Sequence, residues 1–150
     1  MNVTGGQQPM IQPMTDKIVI CVDDDEMQLS ALRASLEKYF HVYAVSNGED
    51  LIVLLHTVVP HLIILDIVMP DPDGWEVLTN LKSNRNYKNI PVLMLSGEPS
   101  RENEFRSLKM GAVEFMRKPY KMPELVEHVQ HHMSLQSLKD NQQKLEDIVE

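Results

Sequence analysis

The chain has 150 residues, 43% of them hydrophobic, and a net charge of −8. That is enough apolar residue for one domain with its own core, and too much for a disordered chain. The excess of acid argues against broad contact with nucleic acid, which needs Lys and Arg facing phosphates, and suits a site that collects a cation. A single cysteine, Cys21, leaves no partner for a disulfide within the chain. A reducing, cytoplasmic setting is therefore expected, with Cys21 as a small core residue.

The first sixteen residues are rich in Gly, Gln, Pro and Met. They have neither the basic start nor the long apolar run of a signal peptide or membrane span, and are expected to form a loose tail. A strand is expected over Lys17–Val22, and it stops at Asp23-Asp24-Asp25-Glu26. A helix follows over Glu26–Tyr39, with Leu29, Leu32 and Leu36 on one face. A second strand, His41–Val45, is closed by the turn signal Asn47-Gly48, and a second helix runs over Glu49–Thr57. A third strand, His61–Asp66, is apolar until its final carboxylate. A carboxylate at the end of a buried strand is costly unless it reaches a site.

After the turn-rich Met69-Pro70-Asp71-Pro72-Asp73-Gly74, a third helix carries Val77, Leu78 and Leu81. Ser83–Asn89 reads as a loop. Pro91 opens a fourth strand that ends at Ser96-Gly97. A fourth helix, near Arg101–Met110, is ended by Gly111. The fifth strand, Val113–Met116, ends at Lys118-Pro119, and Pro123 sits in the first turn of a fifth helix. Five β-α units with short connections imply an α/β fold, a parallel sheet with helices on both faces. Acid, acid, hydroxyl and amine then share the carboxyl edge of the sheet, where open α/β folds place their sites.

The apolar spacing continues past the last β-α unit. Leu135, Leu138, Gln142, Leu145 and Val149 are spaced 3-4-3-4. Residues 134–150 are thus an extension of the fifth helix, either a short coiled-coil seam with one polar position or an amphipathic helix that frays. His128 and His132 are four apart on the same helix, with His131 beside them. The spacing suits zinc, but sequence places no third ligand nearby, so a solvated face is expected.

The elements Val22-Asp23-Asp24, Asp66 with Met69-Pro70 and Asp73-Gly74, Ser96-Gly97, and Lys118-Pro119-Tyr120 occur in this order. In that order the chain resembles the receiver domain of bacterial two-component response regulators, over about residues 17–133. The resemblance implies a flavodoxin-like strand order 2-1-3-4-5. It implies Asp66 as phosphoacceptor, Mg²⁺ (or Mn²⁺) held by Asp24, Asp66 and the Val68 backbone carbonyl, and Asp23 acting through water. Lys118 and Ser96 would engage the phosphoryl group, Ser96 and Phe115 would form the switch, and the Lys118–Pro119 bond would be cis. A Phe at position 115 lacks the hydroxyl that a Tyr would offer.

The implied function is a phosphoacceptor switch in a phosphorelay, supplied by a histidine kinase or phosphotransfer protein. Its product is a changed helix 4–strand 5–helix 5 surface, and it is not an enzyme beyond its own phosphotransfer and autodephosphorylation. Expected partners also include a second copy through the C-terminal helix, or an output domain beyond it, with no direct nucleic-acid or membrane contact. Two other readings compete. One is a receiver-like module that works without phosphorylation. The other is a phosphohydrolase of the haloacid-dehalogenase kind, which needs an acid two residues after its Asp nucleophile, where this chain has Val68.

Overall fold

The computed structural model describes residues 13–149. Most of the expected N-terminal tail lies outside that range. Its last residues are docked: the Met14 amide donates to the Tyr39 carbonyl at 2.6 Å, and the Met14 side chain packs on the core.

The elements alternate along the chain: β1 (Ile18–Val22), α1 (Glu26–Leu36), β2 (His41–Val45), α2 (Gly48–Leu55), β3 (Leu62–Asp66), α3 (Gly74–Ser83), β4 (Val92–Ser96), α4 (Arg101–Lys109), β5 (Glu114–Arg117) and α5 (Met122–Val149). The strands form one parallel sheet in the order β2-β1-β3-β4-β5. Its central strands β3 and β4 are buried along their whole length. This is why they read as unbroken apolar runs rather than alternating ones.

Two apolar layers cover the sheet. On one face, Leu29, Leu32 and Leu36 of α1 and Leu125, Val126, Val129 and Met133 of α5 pack on Val19, Cys21, Ile64 and Met116. On the other, Leu51 and Leu55 of α2 and Val77, Leu78 and Leu81 of α3 pack on Ile20, Ile63, Met94 and Phe115. Alternate strand residues thus feed opposite layers, as the period of a strand requires. The helix α4 is different: its only buried residue is Ser107, while Phe105 and Leu108 are exposed.

Several boundaries differ from the sequence expectation by a few residues, among them those of α1, α2 and β5. The helix α1 stops at Leu36, not Tyr39, because Phe40 is buried and the chain must turn to pair His41 with Lys17. Asn47 does not close a simple turn. It caps α2, its side-chain oxygen accepting from the Asp50 amide at 2.7 Å. The strand β5 is shifted one residue towards Arg117. The helix α5 is continuous to Val149, but none of its described residues after Met133 is buried.

Candidate functional site

Register brings the four strand ends together. Val22 pairs with Leu65, so Asp23 and Asp66 emerge side by side from β1 and β3. Asp66 pairs with Leu95, placing Ser96 one step further along, and Ser96 pairs with Arg117, placing Lys118 beyond that. The result is an open cleft of about 420 Å³ whose lining includes Asp23, Asp24, Asp66, Val68, Glu98 and Lys118.

Carboxylate oxygens of Asp23, Asp24 and Asp66 lie within 4.8 Å of one another. Asp23 and Asp66 are buried, and Asp24 is exposed. The Lys118 amine reaches three groups at once: Asp66 Oδ1 at 3.1 Å, Asp23 Oδ2 at 3.2 Å and Gln28 Oε1 at 2.7 Å. Burial is the main cause that pushes the Asp66 carboxyl up to about 6. The Lys118 hydrogen bond opposes this, and the Asp23 and Asp24 charges add to it. Asp66 is therefore ionised at pH 7 and strained by its surroundings. Burial alone would pull the Lys118 amine down, but its bond to Asp66 and the two carboxylate charges outweigh that, so it stays fully cationic.

Local backbone chemistry holds each group in place. Asp25 caps α1, accepting from the Met27 and Gln28 amides, while its own amide donates to Asp23 Oδ1 at 2.9 Å. The acid run after β1 thus divides its work: Asp25 holds the helix start, and Asp23 and Asp24 face the cleft. After β3, the Gly74 amide returns to the Ile67 carbonyl at 2.9 Å, and a Cβ at Gly74 would collide with the Asp66 carbonyl and the Ile67 Cα. Only glycine lets α3 start this close to the strand that carries Asp66. The bonds before Pro72 and Pro119 are both cis.

Ser96 and Phe115 are both buried and lie outside the cleft lining. Ser96 is buried outside the cleft lining, its hydroxyl oxygen accepting from the Glu98 amide at 3.0 Å. Phe115 is buried in the α2–α3 layer. Gln28 was not anticipated. Its signal was its place in the first turn after the Asp25 cap, close to the end of β1, but an amide there also reads as ordinary helix surface.

The donor set fits a hard divalent cation. Three carboxylates converge without enough positive charge to balance them, and Mg²⁺ takes oxygen ligands. Among the described residues no helix is long and apolar enough to cross a membrane.

A family model described as the response regulator receiver domain matches residues 19–130. Similar proteins include a probable cyclic di-GMP phosphodiesterase of Vibrio cholerae serotype O1, 29% identical over 130 residues, which are 87% of this chain and 30% of that protein. Another is the hybrid signal transduction histidine kinase D of Dictyostelium discoideum, 29% identical over 122 residues, 81% of this chain and 8% of that one. The chain therefore spans less than a third of either curated relative. Among solved structures, the signal receiver domain of a signal transduction histidine kinase from Syntrophus aciditrophicus is 32% identical, with a TM-score of 0.72 over 79% of this chain and 90% of that one.

Proposed function

The chain belongs to the response regulator receiver domain family, and on that premise we propose that it is a phosphoacceptor switch with Asp66 as the acceptor. The observation that carries this reading is the Lys118 amine held between Asp66 and Asp23 beside the third carboxylate, Asp24. An ion pair placed only for stability would gain little from a third, exposed acid at the same point.

In this reading an ionised Asp66 oxygen attacks the phosphorus of a phosphohistidine on a kinase or phosphotransfer protein. The P–O bond to Asp66 forms as the P–N bond breaks, and the leaving imidazole takes up a proton. Lys118 is already within reach of Asp66 Oδ1 and remains cationic, so it can follow the charge onto the transferred group. Asp24, Asp66 and the Val68 carbonyl would hold Mg²⁺, with Asp23 acting through water. The cation supplies charge neutralisation at the phosphoryl oxygens. Val68 is apolar and exposed, so the position two past Asp66 provides no group to activate a water against the acyl phosphate.

Ser96 lies outside the cleft lining, so its loop would have to move for the hydroxyl to donate to a phosphoryl oxygen, and that loop leads directly into the lightly anchored α4. Phe115 is already buried, so the moving part of this switch is the Ser96 loop and α4. The exposed continuation of α5 is the route by which a change at β5–α5 would reach a partner or output segment.

The test is incubation with Mg²⁺ and acetyl phosphate, followed by intact-mass analysis. One phosphoryl addition is expected, lost in Asp66→Asn and in excess chelator. An undiminished addition in Asp66→Asn would place the acceptor elsewhere. No addition to the wild-type protein would favour a phosphorylation-independent module.

A further inference from the structure

The geometry points to a second cation site, for a zinc-class transition metal, formed by Glu114 of β5 with His128 and His132 of α5. The Glu114 Oε1 atom lies 3.1 Å from His128 Nδ1 and 2.9 Å from His132 Nε2. The spacing of the two histidines suits a metal, and the fold supplies the third ligand that the sequence left unplaced.

The placement follows from the fold. Successive residues of β5 face opposite layers, so Phe115 enters the α2–α3 layer while Met116 enters the α1–α5 layer. Glu114 shares the α5 side with Met116. Val129 and Met133 anchor the buried stripe of α5, and His128 and His132 each precede one of them by a single residue. They therefore flank that stripe where it meets β5. Because β5 is the edge strand, this seam opens to solvent. The histidine side chains are 37% and 13% exposed, and that of Glu114 is 27% exposed.

The ligand chemistry is distinct from that of the Asp66 cleft. Two imidazole nitrogens and one carboxylate oxygen form a set used by zinc, with the fourth position left for water. Imidazole disfavours Mg²⁺, while the all-oxygen cleft favours it. Tetrahedral zinc holds its ligands at about 2.0–2.2 Å, which sets them roughly 3.3 Å apart. The two oxygen–nitrogen distances are near this value. The two ring nitrogens stand further apart than the aspartate oxygens of the cleft, so binding requires them to close on each other. Rotation of the partly exposed His128 provides that movement. A bound metal would tie the start of β5 to α5 on the opposite side of the strand from Phe115.

The inference is independent of phosphorylation. Its test is titration of the full chain with ZnCl₂ in saturating Mg²⁺, in competition with a chromophoric chelator, alongside the visible spectrum of the Co²⁺-loaded protein. One equivalent of zinc and a four-coordinate Co²⁺ spectrum are expected. Loss of a second-shell partner already costs about 10–100-fold in affinity, so Glu114→Gln, His128→Gln and His132→Gln should each weaken binding by at least roughly tenfold. His131→Gln should not. Far-UV circular dichroism without metal confirms that the variants are folded, and zinc should raise the melting temperature of the wild type but not of Glu114→Gln. No zinc uptake by the wild type, or equal uptake by all the variants, would overturn the site and leave a hydrogen-bonded seam between β5 and α5.

Discussion

Asp66 carries a conflict between stability and chemistry. Its folded pKa is raised, from an ordinary 3.8 to about 6. The protonated form therefore stabilises the fold below the unfolded value, and that contribution is lost as pH rises through about 6. At pH 7 the carboxylate is ionised, as a nucleophile must be, at a cost to the apo domain. Asp66→Asn should raise apo stability by about 1–3 kcal/mol in urea unfolding, and Mg²⁺ should narrow the gap by stabilising only the wild type. A variant less stable than wild type would contradict the crowding of charge proposed here.

His61 has the opposite sign. Its Nδ1 accepts from the Ile18 amide at 3.0 Å, so the bound form is neutral, and burial, followed by the Lys17 charge, lowers its pKa. The neutral ring contributes stability that is present above the unfolded value of 6.5 and lost as pH falls through the lower folded value. His61→Gln should flatten the fall in stability below pH 6.5, measured as the urea midpoint against pH. An unchanged profile would remove His61 from the acid response.

At the scale of elements, the α3 start is set by contact rather than by propensity. A methyl group at Gly74 meets backbone, not a side chain that can swing away. Gly74→Ala should cost about 1–3 kcal/mol, the range for overpacking, and should also weaken Mg²⁺ binding, because the strand end it displaces carries Asp66. Trp75 beside it offers a fluorescence readout. Magnesium affinity equal to wild type would separate the helix start from the cleft. The helix α4 is held differently, with a buried Ser107 hydroxyl that has no hydrogen-bond partner among the described residues and two exposed apolar side chains. A weakly anchored helix next to the Ser96 loop is the element expected to respond first. On phosphorylation, amide exchange should change most over 96–109, and a response confined to α2 would argue against this route.

For the whole molecule, the open question of partners centres on α5. Leu138, Leu145, Ile148 and Val149 are each more than 60% exposed, on a helix that continues unbroken beyond the domain. An apolar stripe left exposed on such a helix usually meets another surface. Parallel pairing of two copies would bury it, with Gln142 tolerated in the seam. Sedimentation of the 150-residue chain against one cut after Met133 should give a dimer for the first and a monomer for the second. Monomers in both cases, phosphorylated or not, would leave the extension as a tether.

The sequence by itself determined the layered fold and the convergence of Asp23, Asp24, Asp66 and Lys118 at one edge of the sheet. Its strands were apolar runs that stopped at Asp23, Asp66, Ser96 and Lys118, and a parallel sheet has to gather such ends along one edge. Contacts between distant segments were not legible, since neither partner has a local pattern that announces the other. The Gln28 amide meets Lys118 across 90 residues, and Glu114 meets His132 across 18. Asn47 looked like a turn residue because the same side-chain chemistry serves turns and helix caps, and only the backbone direction after it separates them. The helix α1 was expected to run to Tyr39, but tertiary pairing of His41 with Lys17 ended it at Leu36. That Ser96 lies outside the cleft lining was decided by packing depth, which hydrophobic spacing along a strand does not encode.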